Sequence, residues 1–152
     1  MKPNWWNKGK TYLYKRDKVM RKLLIAYKGH LTTRNNFFYS LTRSITSQQI
    51  SVSAADSVFS KFEKKCKGKI NPKIVSRLTI MDLRRCGLSR MKALGIKSLA
   101  DKILDKSFNP KLIKKMSDEE AINYLSSLRQ IGRWSSEMVL IFFYNRPNIW
   151  PV

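Results

Sequence analysis

LSSLRQIGRWSSEM, residues 125–138, predicts two helices joined by a short turn. Just upstream, Ser117 followed by Glu120 has the spacing of a capping box, which predicts that the first helix begins there. The apolar residues that continue it recur at helical spacing: Ala121, Ile122, Leu125 and Leu128. Residues 134–144 are apolar almost all round, which predicts a second helix buried on most sides.

The predicted turn is centred on Gly132, a residue type that can adopt positive φ and lets another backbone approach closely. Amides at the start of a helix have no intrahelical acceptor, and the helix dipole favours an anion there. We therefore expect the amides of about residues 130–134 to bind a phosphate. From the residues alone, an ordinary helix–helix turn that contains a glycine is the alternative.

The composition predicts one globular domain that binds a polyanion. The chain has 152 residues, of which 43% are hydrophobic, enough for a packed core. Its 31 Lys and Arg against 10 Asp and Glu give a net charge of +21, which makes nucleic acid the leading partner. A solvated basic surface without a partner is the alternative.

Metal, cofactor and membrane partners are not indicated by the sequence. Cys66 and Cys86 stand far apart and His30 is the single histidine, so we expect neither a zinc site nor a disulfide framework, and no cofactor. No apolar run reaches the ~18 residues of a membrane span. These features favour the cytoplasm, with association to the nucleoid through DNA binding, and a structural role for His30.

The N-terminal part, residues 1–34, is predicted to be a basic, aromatic segment followed by a first helix. Residues 1–16 have little periodicity and are expected to lie across the body of the protein without an assigned element. Asp17 is a predicted N-cap of a helix that runs through Tyr27, packs on the core and ends near Gly29.

Residues 35–116 predict further helices. One begins near Asn35 and ends in SITSQQIS, residues 44–51, where Ser51 caps the next helix. The basic run 61–69 is equally consistent with a phosphate contact and with a solvated helix face. Short helices follow from Pro72 and from Thr79, and GLSRMKA, residues 87–93, opens a long core helix. No period-2 strand pattern occurs, so the fold class is all-α.

Three of these stretches resemble the helix-hairpin-helix DNA glycosylase superfamily, in its 3-methyladenine DNA glycosylase II branch. They are Leu41-Thr-Arg43-Ser-Ile45-Thr-Ser-Gln48-Gln49-Ile50-Ser51, Gly87-Leu-Ser-Arg-Met-Lys-Ala93 and Ile131-Gly132-Arg-Trp134-Ser135. Gln130 replaces the first glycine of the family's hairpin, and Ser136 replaces its alanine. The matches cover roughly residues 35–152 in the family's order. The resemblance implies a helical bundle with a hairpin at 117–145, incomplete at the C-terminus.

The resemblance also implies a set of site residues. In the family the tip of the Gln-Gln-Ile-Ser turn enters the duplex, which points to Gln49 with Ile50 as the wedge; capping of a helix end by Gln48 and Gln49 is the alternative. An aromatic pocket would attract an alkylated, cationic base through cation–π contacts. Its candidates are Trp134, Tyr39 and Trp150, with core packing as the alternative for each. The implied DNA-binding hairpin comprises Gln130, Ile131, Gly132, Arg133, Trp134 and Ser135.

The implied reaction is hydrolysis of an N-glycosidic bond. Bifunctional relatives carry a lysine where this chain has Trp134, so we expect a monofunctional enzyme with water as nucleophile. The family's catalytic aspartate lies in a Pro-x-x-Asp pattern, which here would place it beyond Val152. The chain is therefore expected to lack the catalytic residue and to be an inactive fragment. Glu137 is the remaining candidate carboxylate.

Excision of alkylated purines of the 3-methyladenine type, the first step of base excision repair, is the function that the resemblance implies. Double-stranded DNA with damaged bases would be the partner, bound by a monomer. A non-catalytic helix-hairpin-helix DNA-binding protein and a basic RNA- or ribosome-associated protein are the alternatives. The Gln-Gln-Ile-Ser turn favours the enzyme lineage, since a pure binding module needs no wedge.

Overall fold

The predicted all-α fold is confirmed. The computed structural model describes residues 2–151, which form nine α-helices and one short 3-10 helix, with no strand among them. In chain order these are α1 (Trp6–Arg16), α2 (Lys18–Ala26), α3 (Phe37–Ser47), α4 (Val52–Lys65), α5 (Pro72–Val75), α6 (Ile80–Arg85), α7 (Arg90–Leu104), the 3-10 helix (Pro110–Lys115), α8 (Asp118–Ser126) and α9 (Arg133–Phe142).

Polar side chains at the N-caps set most of the helix starts. Each accepts a hydrogen bond from an amide in the first turn, which satisfies a donor that has no intrahelical acceptor. The caps predicted from sequence at Asp17, Ser51 and Ser117 are confirmed. Full capping boxes form between Thr79 and Asp82 and between Ser117 and Glu120.

The core lies around α3 and α7. Helix α3 packs against α4, α7 and α9, while α7 also packs against α5 and α6. The predicted apolar face of α7 is buried at Ile96, Leu99 and Ala100, whereas Leu104 at its end is 41% exposed. These contacts place the end of α3, the start of α7 and the α8–α9 hairpin side by side.

The N-terminal segment differs from its prediction. Residues 6–16, which carry little periodicity, form α1, and this helix packs against α2. Neither helix has a buried residue, and Val19 is 67% exposed, so the prediction that the first helix packs on the core is wrong. Apolar spacing predicts that a helix has an apolar face, but it carries no information about what covers that face.

Helix α9 is buried on fewer sides than predicted. Ser135, Ser136 and Glu137 are buried, whereas Trp134 is 57% exposed. The small Ser136 lies directly against α8, with the hydroxyl oxygens of Ser126 and Ser136 3.0 Å apart. The expectation of a helix buried by apolar residues on most sides is therefore wrong at its first turn.

None of the helices in the described part of the chain combines the length and the apolar character that crossing a bilayer requires.

Candidate nucleic-acid interface

The hairpin turn between α8 and α9 takes its left-handed residue from Gln130. Gln130 has φ 68°, whereas Gly132 has φ −95° and ψ −177°, which is an extended conformation open to any residue. A Cβ added at Gly132 would meet nothing within 4 Å. The prediction that Gly132 supplies the positive φ of the turn is therefore wrong, and no part of the protein that the structure describes approaches it closely. The strained residue is Gln130, which replaces the first glycine of the hairpin in the family that this sequence resembles.

Close approach to the turn depends on a different glycine, Gly95 in α7. A Cβ added at Gly95 would lie 2.8 Å from Cγ of Gln130 and 3.1 Å from the carbonyl oxygen of Arg129. Both distances are shorter than ordinary carbon contacts allow. Gly95 thus lets α7 pack directly against the backbone of the turn, a role that its place inside a helical pattern did not indicate.

The start of α9 presents free amides. Gly132 is the N-cap and has no side chain to accept a hydrogen bond, so the amides of Arg133, Trp134 and Ser135 lack an intrahelical acceptor. Ser136 is the first residue whose amide bonds back into the helix, to the carbonyl of Gly132 at 3.0 Å. Such amides, aligned with the positive end of the helix dipole, suit an anion.

Arg133, predicted as a DNA contact, is engaged within the protein. Its Nη1 and Nη2 donate to the carboxylate of Glu119 at 3.0 and 2.5 Å, and its Nε lies 3.1 Å from Oε1 of Glu137. These partners, Glu119 foremost, raise the pKa of the Arg133 guanidinium. A phosphate near Arg133 would have to compete with two carboxylates, so the backbone amides are the better anion ligands of this turn.

Glu137 is a poor stand-in for a catalytic carboxylate. Its side chain is 2% exposed, with one oxygen paired to Arg133. No group in the described part of the chain donates to its Oε2. Glu137 is also not among the residues that line the two cavities beside Trp134. The carboxylate is paired with Arg133 and lies outside both cavities.

The loop between α3 and α4, residues 48–51, which we call the wedge loop, lies beside the hairpin. Gln49 has φ 56° and is exposed, and Ile50 next to it is 41% exposed. Nε2 of Gln48 donates to the carbonyl of Gln130 at 2.8 Å and to Oγ of Ser135 at 3.4 Å. The predicted wedge is therefore joined to the predicted phosphate-binding turn.

A cavity of about 590 Å³ lies between this loop, the start of α7 and the hairpin. It is lined by Gln48, Gln49, Ser89, Met91, Lys92, Gln130, Trp134 and Ser135. Trp134 also lines a second cavity, of about 310 Å³, between α3 and α9. That second cavity, which we call the Trp134 pocket, is lined by Arg34, Ser40, Arg43, Ser44, Ser47, Trp134, Met138, Val139, Phe142 and Phe143.

The three predicted pocket aromatics have different surroundings. Trp134 borders both cavities with more than half of its surface exposed, so it is not a core residue. Tyr39 lines an adjoining cavity, and its hydroxyl donates to Glu63 at 3.1 Å; burial, then that hydrogen bond, raises the pKa of Tyr39. Trp150 is 85% exposed and is not among the residues lining the Trp134 pocket. Of the three aromatic residues, Trp134 is the one that lines the same cavity as Gln49 and Gln130.

Lys92 is a site residue that the sequence analysis did not single out. Its Nζ donates to the carbonyl oxygens of Thr46 at 2.9 Å and Gln48 at 2.6 Å, at the end of α3. Burial lowers the pKa of this ammonium group. The Gly-Leu-Ser-x-x-Lys-Ala stretch contained the signal, but the pattern of the sequence shows only a helix start and not what Lys92 reaches.

The fold and the site together define a helix-hairpin-helix protein: a hairpin with an uncapped second helix, set beside a projecting loop and a small pocket. A family model described as HhH-GPD superfamily base excision DNA repair protein matches residues 42–152. The chain belongs to this family, as its sequence motifs indicated.

Two curated relatives come from Schizosaccharomyces pombe. Alkylbase DNA glycosidase-like protein mag2 is 34% identical over 118 residues, covering 75% of this chain and 55% of the relative. DNA-3-methyladenine glycosylase 1 is 32% identical over 117 residues, covering 75% of this chain and 51% of the relative. The chain thus spans about half the length of these relatives.

Solved structures of the same kind superpose on most of the chain. A DNA-3-methyladenine glycosidase from Bacillus halodurans has a TM-score of 0.81 at 25% identity, covering 93% of this chain and 65% of that one. The S. pombe 3-methyladenine DNA glycosylase Mag1 in complex with abasic DNA has a TM-score of 0.79 at 27% identity, covering 95% and 73%.

Proposed function

We propose that this chain forms the DNA-gripping and base-recognition part of a monofunctional glycosylase. The enzyme would release alkylated purines such as 3-methyladenine from duplex DNA by hydrolysis, the first step of base excision repair. It would act as a monomer on chromosomal DNA. The relatives named as 3-methyladenine glycosylases support the substrate class.

One observation carries the proposal: Trp134 lines both the Trp134 pocket and the cavity that Gln49 lines. A glycosylase must extrude the target nucleotide, hold its base and fill the gap that it leaves. The exposed indole of Trp134 lines a pocket that can hold the base. The exposed Gln49, which lines the neighbouring cavity, can fill the gap that the base leaves. A module that only binds DNA needs neither.

Each part of the interface has a role in this proposal. The amides of residues 133–135 would hold a backbone phosphate, while Gln49 and Ile50 enter the duplex where the nucleotide leaves. The face of Trp134 would attract a base that carries positive charge after ring alkylation, worth about 0.5–2 kcal/mol. Because Trp134 occupies the position of the bifunctional enzymes' lysine, water would be the nucleophile and no strand cleavage would follow.

Base release from methylated duplex DNA tests the proposal. The measurement is the amount of free 3-methyladenine that the protein releases. We expect Trp134→Ala to reduce that release strongly, because Trp134 lines both cavities of the interface. Glu137→Gln should leave it largely unchanged, because Glu137 lines neither cavity.

Two results would contradict this expectation in different ways. Release that is lost on Glu137→Gln would make Glu137 the catalytic carboxylate. Inactivity on every alkylated base would favour the non-catalytic helix-hairpin-helix DNA-binding protein.

A further inference from the structure

The C-terminal end of α3 is closed by a side chain from another helix. Helix α3 ends at Ser47, where the last carbonyls of a helix have no intrahelical donor. Nζ of Lys92, in the first turn of α7, donates to one of them, the carbonyl of Thr46, at 2.9 Å, and to the carbonyl of the C-cap residue Gln48 at 2.6 Å. An ammonium group at this negative end of the helix dipole is favourably placed.

The same loop is tied from its other side. The side chain of Gln48 donates to the carbonyl of Gln130 at 2.8 Å, so main chain and side chain of one residue are held by different elements. The next residue, Gln49, has φ 56°. A residue with a side chain persists in that region only where its surroundings hold it there. The hydrogen bonds of Lys92 and of the Gln48 side chain lie immediately before Gln49 in the chain.

We propose that Lys92 is a positioning residue for the wedge: by holding the carbonyls of Thr46 and Gln48, it keeps Gln49 in the conformation that projects into the duplex. This inference rests on the proposed function, because it requires Gln49 to enter DNA. Lys92 acts through the loop and need not touch a phosphate. Its hydrogen bonds to two carbonyls direct its charge into the protein.

Lys92→Met tests this by removing the donor while keeping most of the side chain's bulk. The measurement is affinity for two duplexes that differ only in one abasic site. We expect the preference for the abasic duplex to fall about tenfold, the scale of losing hydrogen bonds from a charged donor. Affinity for the intact duplex should change only as much as the loss of one positive charge requires.

Lys97→Met is the matched control. Lys97 lies on the same helix, and its Nζ also donates to a carbonyl, that of Ser76 at 2.5 Å, away from the wedge loop. The Lys97→Met variant loses one positive charge and one hydrogen bond to a carbonyl, as Lys92→Met loses a charge and bonds of the same kind. We expect it to leave the abasic preference unchanged.

A double-mutant cycle with Gln49→Ala shows whether Lys92 acts through the wedge. Once Gln49 is gone, Lys92→Met should cost no further abasic preference. Full additivity, or equal losses on both duplexes, would overturn the inference. Gln48→Met, which releases the loop from Gln130, gives a second reading if Lys92→Met fails to fold.

The outcomes also separate this inference from the proposed function. If Gln49→Ala abolishes the abasic preference but Lys92→Met and Gln48→Met do not, the positioning role alone is wrong. If the unchanged chain shows no preference for the abasic duplex, the wedge and its positioning by Lys92 are wrong together.

Discussion

Gly95 is the residue that lets α7 pack directly against the hairpin turn. Replacing it with alanine would put Cβ 3.1 Å from a backbone oxygen, that of Arg129, which cannot rotate away. Overpacking of this kind costs ~1–3 kcal/mol, against a gain of ~1 kcal/mol in helix propensity. We expect Gly95→Ala to lower the free energy of unfolding by about 1 kcal/mol, measured by denaturant titration.

Gly9 offers the control for that substitution. It also lies within a helix, but a Cβ there would meet only Trp5, at 3.9 Å. Gly9→Ala should therefore stabilise the protein by up to ~1 kcal/mol. If both variants shifted stability in the same direction, the close contact at Gly95 would not be the cause.

The ion pair between Arg133 and the buried Glu137 can be tested by substitution. Removing Arg133 leaves a buried carboxylate without a counterion, and an uncompensated buried charge is strongly destabilising. We expect Arg133→Met to lower the melting temperature more than Glu137→Gln does. The double variant should recover most of the loss, because the amide carries no charge. Additive losses in this cycle would mean that the two residues are not coupled.

At this scale the sequence predicts what depends on near neighbours. The caps at Asp17 and Ser117 are confirmed because a cap and its amides lie within one turn. The left-handed Gln130, the close approach at Gly95 and the reach of Lys92 depend on elements brought together only by folding. For that reason the prediction placed the special glycine at 132, within the motif.

At the scale of the element, α9 has one side in the core and one in the site. Leu140 is fully buried, whereas Trp134 is 57% exposed at the start of the same helix. We expect Trp134→Ala to change the free energy of unfolding by less than about 1 kcal/mol. Leu140→Ala should cost ~2–5 kcal/mol, because it leaves a cavity in the core. Both values come from denaturant titration.

DNA binding by the Trp134→Ala variant tests the role of Trp134 in the site. Trp134→Ala should weaken the binding of DNA that carries an alkylated base, even though the fold is retained. A large stability loss at Trp134 would instead assign the indole to the core, the alternative that its residue type left open.

Helix existence was predictable, and helix surroundings were not. The apolar stripe of α7 predicted its buried face, since the periodicity is long and regular. In α9 apolar residues lie on most sides of the helix, so periodicity could not show that Ser135, Ser136 and Glu137 are buried while Trp134 is exposed. In α1 there was little pattern to read at all.

At the scale of the whole molecule, the +21 charge predicts strongly salt-dependent binding. Each phosphate neutralised lowers the slope of log affinity against log salt by about 0.9. With six to ten contacts, affinity for duplex DNA should fall ~10³–10⁵-fold between 50 and 200 mM salt. Fluorescence anisotropy titrations at several salt concentrations measure this slope. A slope near zero would show that the basic surface does not bind the DNA backbone.

We propose that the hairpin, the wedge loop and the Trp134 pocket together form one surface that recognises an extruded nucleotide. The most direct measurement is the affinity of this chain for a duplex with a single abasic site, compared with the same duplex intact, at one salt concentration. The abasic duplex has a gap for Gln49 and pays no unstacking cost, so we expect it to bind at least about tenfold more tightly. Gln49→Ala should remove that difference. Equal affinity for the two duplexes would contradict the account.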